Sequence, residues 1–123
     1  AFILTFNLLL LNEFPDVVPD QYGGRANLIH RFGHAWSGRL YAVTTVSVPV
    51  IIALGVMSNI FPRTALVALL GAVAAFRPVM WSVQTPEERP PTAVLRNNVI
   101  FILSTNILLA IGLILPIVQL YIV

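Results

Sequence analysis

The chain has 123 residues, of which 58% are hydrophobic and 10% charged, where a soluble domain carries about a quarter charged residues. It contains no cysteine, which excludes disulfides, thiolate metal sites and cysteine catalysis. Its seven basic residues are all arginine and leave a formal charge of +2, too little to mark a nucleic-acid partner. The apolar residues fall into long unbroken runs, so the expected fold is all-α, a multi-pass transmembrane helical bundle.

The first run, Ala1 to Leu11, is followed directly by Asn12-Glu13. No basic stretch precedes it, which makes it a poor signal peptide. Eleven residues at about 1.5 Å each cover little more than half of a bilayer core of about 30 Å. Residues 1–11 therefore read as a truncated span, and the chain as the C-terminal part of a longer protein whose N-terminal helices are its partners. Residues 12–39 form a polar segment holding three of the five acids, three of the seven arginines and both histidines.

Residues 40–61 make a span of the required length, with Pro49 tolerable inside it. A tight turn, Ser58 to Arg63, leads to a third span at 64–83, interrupted near its end by Arg77-Pro78. A second polar loop, 84–98, carries Pro86, Pro90 and Pro91, which oppose helix. The last span, 99–123, has no charged residue. Arginine gathers in and around the two long loops, with Arg63 alone in the turn. Cytoplasmic loops gather basic residues, so both long loops are expected in the cytoplasm, with the protein in the cell membrane.

The chemistry concentrates in Asn12-Glu13-Phe14-Pro15-Asp16-Val17-Val18-Pro19-Asp20 and the residues that follow. Asp16 and Asp20 are four apart and would share one helical face, with Glu13 joining it. Such a face repels itself unless a cation relieves it. Carboxylate oxygens suit magnesium, which also bridges to substrate phosphates. Arg25 and Arg31 lie just downstream, and guanidinium forks match phosphate oxygens. The bland alternative, a solvated and capping helix end, stands beside this reading. Pro19 complicates both, because it has no N–H to bond back to Pro15.

The string N-E-F-P-D-x-x-x-D-x-x-x-G-R-x-N-L-x-x-R-x-G, from Asn12 to Gly33, resembles the second aspartate-rich motif of the UbiA superfamily of intramembrane prenyltransferases. It looks most like the branch of 1,4-dihydroxy-2-naphthoate prenyltransferases (MenA-like), whose pattern runs D-x-x-x-D-x-x-x-G-K-R-T-L-x-x-R-L-G. Asp16, Asp20, Gly24, Leu28, Arg31 and Gly33 fall in register, and Arg25 stands where lysine is common. Ala26 and Asn27 depart from the basic residue and threonine of that pattern. The family's first motif, N-D-x-x-D-x-x-x-D, has no match in this chain.

The resemblance implies a UbiA-like fold and a magnesium-dependent transfer of a polyprenyl group from its diphosphate to an aromatic or quinone-precursor acceptor, as in menaquinone biosynthesis. Asp16 and Asp20 would hold Mg2+ with Asn12 in support, and Arg25 and Arg31 would contact the diphosphate. With half of the metal site elsewhere, this chain alone is expected to be inactive. Two other readings stay open: a family enzyme for a chlorophyllide, haem or archaeal-lipid acceptor, and a non-catalytic membrane protein using the fold for assembly or lipid binding. His30 and His34, four apart, lack a third ligand at fitting spacing. Thr44-Thr45 and Ser104-Thr105-Asn106 suit interhelical hydrogen bonding, and Trp36 and Trp81 suit interface anchors. Glu87 and Glu88 are expected to face solvent.

Overall fold

The computed structural model describes residues 1–24 and 26–122, and of residues 18–21 the backbone alone. The described chain is helical, with no strand. Its helices are α1 (Phe2–Tyr22), the short α2 (Leu28–Phe32), α3 (His34–Met57), α4 (Arg63–Gln84) and α5 (Thr92–Ile122). Three of them, α3, α4 and α5, are long and apolar enough to cross a membrane. Both polar segments lie at one end of the bundle, where Phe14 of α1 packs on Trp81 of α4.

The helix ends depart from the hydropathy boundaries. Helix α1 runs on through Asp16 and Asp20 to Tyr22, accepting Pro15 and Pro19 without stopping. Helix α3 starts at His34, six residues before the expected span, because Gly33 breaks the chain from α2 at φ 85°. Helix α5 starts at Thr92, right after Pro90-Pro91, and the Pro91 carbonyl accepts from the N–H groups of Val94 and Leu95. Hydropathy marks where polar side chains begin, while proline and glycine mark where helices begin.

The opposite end is closed by the turn from α3 to α4. The Gly55 carbonyl accepts from the N–H groups of Ile60 and Phe61, both at 2.9 Å. The Phe61 ring lies against Gly55, in the space a Cβ would take. Asn59 supplies the one left-handed non-glycine residue described, at φ 57°, a conformation asparagine tolerates.

The buried residues follow a three-four spacing along each long helix, the pattern of a bundle seam. In α3 they are Ser37, Gly38, Tyr41, Thr45, Val48, Ile52 and Gly55; in α5, Val94, Asn98, Phe101, Ile102, Thr105 and Gly112. These seams hold many small and polar residues, while Val43, Val50, Leu54, Leu70, Val73 and Ile107 face outward. Small residues let backbones approach when the surroundings are as apolar as the interior. So large an exposed apolar area needs apolar cover.

Helix α4 pairs most extensively with α5. Its first 13 residues, Arg63–Ala75, are wound as a 3₁₀ helix with Ala65, Ala68, Gly71 and Ala75 buried. Residues three apart eclipse in that winding, which lines Ala65, Ala68 and Gly71 along α5. A Cβ on Gly71 would meet Thr105 Oγ1, and one on Gly112 would meet Thr64 O at 2.6 Å. The Thr64 hydroxyl donates to the Gly112 carbonyl at 2.5 Å, tying the two backbones at this crossing.

Polar groups in the core pair across helices. Asn7 of α1 donates to Thr45 Oγ1 at 3.1 Å and accepts from Thr44 Oγ1 at 2.6 Å. Tyr41 Oη donates to Asn98 Oδ1 at 2.7 Å, joining α3 to α5. Thr44-Thr45 thus serve interhelical bonding. Ser104 and Asn106 instead bond back within α5, to the Phe101 and Ile102 carbonyls.

Candidate functional site

The aspartate-bearing part of α1 emerges at the polar end of the bundle. Leu10, Leu11 and Phe14 are buried there, so this turn of the helix is held rigidly from one side. Phe14 meets Trp81 edge to face at 5.1 Å and His34 at 6.1 Å. Trp81, expected at the interface, is instead buried, because α1 covers it. Asn12 and Asp16 lie one turn apart on the exposed side. Asp20 continues the same helix one turn further; its side chain lies outside the described set.

Glu13 has a different task. Its Oε2 accepts from the Leu28 N–H at 2.9 Å, an otherwise orphaned donor at the start of α2. Asn27 caps the same helix, its side chain accepting from the His30 N–H at 3.0 Å. The sequence placed Glu13 on the acidic face with Asp16; the structure turns one of its oxygens toward α2. Glu13→Ala should therefore loosen α2 from α1, at a cost of about 1 kcal/mol, typical of a lost cap. Amide exchange at Leu28 should accelerate about fivefold while the core of α3 is unchanged. An unaltered Leu28 rate would remove Glu13 from this role.

Gly24 at φ 69° and Gly33 at φ 85° bracket the segment that carries α2. Open space surrounds the Cβ position of each, so backbone conformation, and not crowding, is what calls for glycine at both. Arg25 lies outside the described residues. Arg31 is exposed, with its guanidinium 5.5 Å from the Phe32 ring centre.

The second polar loop reaches the same place. A cleft of about 450 Å³ is lined by Phe14, Pro15, Val17 and His34 on one side and by Glu87, Glu88 and Arg89 on the other. Glu87 and Glu88 are exposed, as their sequence context suggested, yet they border the aspartate-bearing helix. The arginine distribution put the two segments on one side, but not in contact; the contact is made by α3 and α4, which run out and back between them.

Among the described residues, no three histidine or acidic side chains converge on one point. Asp16 is the acid of α1 whose described carboxylate is exposed, while Glu13 is directed to α2. Magnesium usually takes one or two carboxylates and completes its shell with water and substrate phosphate, which is the kind of set the D-x-x-x-D pair would offer. No family model, curated protein or solved structure matches the chain.

Proposed function

We propose that this chain forms the part of a UbiA-type intramembrane prenyltransferase that carries the second aspartate motif. The observation that supports it best is the continuity of α1. One helix carries Asn12, Asp16 and Asp20 at successive turns, out of the apolar bundle and into its polar end. An acidic ladder on a helix held by Phe14 suits fixed presentation of carboxylates to a cation and an anionic substrate.

In this reading Asp16 and Asp20 would hold Mg2+ together with the diphosphate of a polyprenyl donor, with Asn12 in support. Arg25 and Arg31 bind the diphosphate oxygens as charge-assisted donors. Bound magnesium would neutralise charge growing on the leaving diphosphate. The prenyl carbon freed from that oxygen then bonds to an electron-rich carbon of an aromatic acceptor such as 1,4-dihydroxy-2-naphthoate, which loses a proton. The first aspartate motif would come from residues outside this sequence, and the loops that bear the site would face the cytoplasm.

The cap at α2 accounts for one departure from the family pattern. Asparagine and threonine are both good N-cap residues, so Asn27 performs locally what a threonine could. The test is prenyl transfer by the full-length protein with magnesium, prenyl diphosphate and a naphthoate acceptor. Arg25→Ala should raise the KM for the donor about tenfold and leave kcat within about threefold, as loss of a substrate-binding contact does. Unchanged donor kinetics would remove Arg25 from the site; no product from the unaltered protein would overturn the prenyltransferase reading.

A further inference from the structure

The outer face of α3 carries an arrangement separate from the aspartate motif. Trp36, Arg39, Val43, Val46 and Val50 recur at intervals of three or four residues and are all exposed, so they form one stripe down the helix. Among the described residues no carboxylate pairs with Arg39. Beside it, Trp36 stacks on Phe32 with ring centres 4.6 Å apart, the kind of aromatic pair that settles at a membrane interface.

Directly below Arg39 is a shallow, open apolar hollow on α3 itself, lined by Ala42, Val43, Val46, Ser47 and Val50. Its one polar side chain, Ser47, donates its hydroxyl to the Thr44 carbonyl at 2.7 Å, so the hollow offers no free hydrogen-bond donor. A second apolar hollow, of about 320 Å³, lies on the other side of Val46 and runs between Pro49 of α3 and Ala72, Ala75 and Phe76 of α4. Two open apolar hollows thus share Val46 as their rim, with Arg39 a turn above. From Arg39 to Val50 the helix rises roughly 16 Å, comparable to most of an acyl chain.

We infer that this face of α3 binds one anionic diacyl phospholipid, with its phosphate at Arg39 and its acyl chains in the hollows on either side of Val46. The charge decides the occupant: a zwitterionic lipid fills the hollows equally well but gains less from Arg39. One basic residue near an anionic headgroup corresponds to about a fivefold preference.

The protein is exchanged into nanodiscs of equimolar phosphatidylglycerol and phosphatidylcholine, extracted gently, and its retained phospholipid measured by mass spectrometry. About fivefold enrichment of phosphatidylglycerol is expected. Arg39→Gln should bring the ratio to that of the bulk, Val46→Trp should reduce the total lipid retained, and Arg63→Gln, at the other end of the bundle, should change neither. Equal retention of the two lipids would overturn the proposal, as would wild-type enrichment in Arg39→Gln or the same loss in Arg63→Gln. None of these readouts depends on prenyl transfer, so failure here and failure of the enzymatic reading are distinguishable.

Discussion

Asp16→Asn or Asp20→Asn, made in the full-length protein, should lower the rate of prenyl transfer by about 1,000-fold or more. Asparagine keeps the size and one oxygen but removes the charge that a hard cation requires. Losing a metal's stabilisation of a leaving diphosphate forfeits several kcal/mol of barrier lowering, and about 4 kcal/mol corresponds to that factor. Asp16 is exposed, so its replacement should leave stability within about 0.5 kcal/mol. The deciding measurement is rate against donor concentration at several magnesium levels, with thermal unfolding as the control. If the two acids were only a solvated helix end, both variants would show unaltered kinetics, and the proposed role would fall.

The second large effect is structural. Gly112→Leu should destabilise the bundle by about 3 kcal/mol, the upper part of the range for overpacking. A Cβ at this position would lie 2.6 Å from Thr64 O, 2.8 Å from Ala65 Cα and 2.9 Å from Thr64 C. All three are backbone atoms, so no side chain can swing aside and α5 must move off α4. The Thr64–Gly112 hydrogen bond would be lost with it. Gly112→Ala should cost less but carry the same sign, although alanine by itself favours helix over glycine. Ile111→Ala, on the exposed neighbour, should be nearly silent. Reversible unfolding in detergent micelles measures all three, and a stabilised Gly112→Ala would contradict the close approach.

The role of Glu13 shows where reading along the chain stops. Its spacing from Asp16 put it among the acids of one helical face, and spacing is all a linear pattern contains. Whether a carboxylate faces a cation or an amide depends on what the next segment brings near it. Here the turn at Gly24 lets the chain fold back until the Leu28 N–H reaches Glu13, and Gly33 then turns it into α3. Trp81 is a similar case. Its place near a polar loop suited an interface anchor, but the continuation of α1 past Leu11 lays Phe14 over it.

By itself the sequence determined the helical class, the three apolar spans and the tight turn between the first two of them. Length and hydropathy are local properties, and lipid-length runs bounded by proline and glycine leave few alternatives. It also determined that Asp16 and Asp20 stand four apart on whatever helix carries them. Only the tertiary structure decided which face of each span is inside. Where interior and surroundings are equally apolar, hydropathy does not distinguish them. The seam was settled by close approach, at Gly71 against Thr105 and Gly112 against Thr64, and by interhelical pairs, Asn7 with Thr45 and Tyr41 with Asn98. The same packing brought Glu87 and Glu88 to the end of α1, because contacts between residues some seventy positions apart exist only once the helices have folded back on one another.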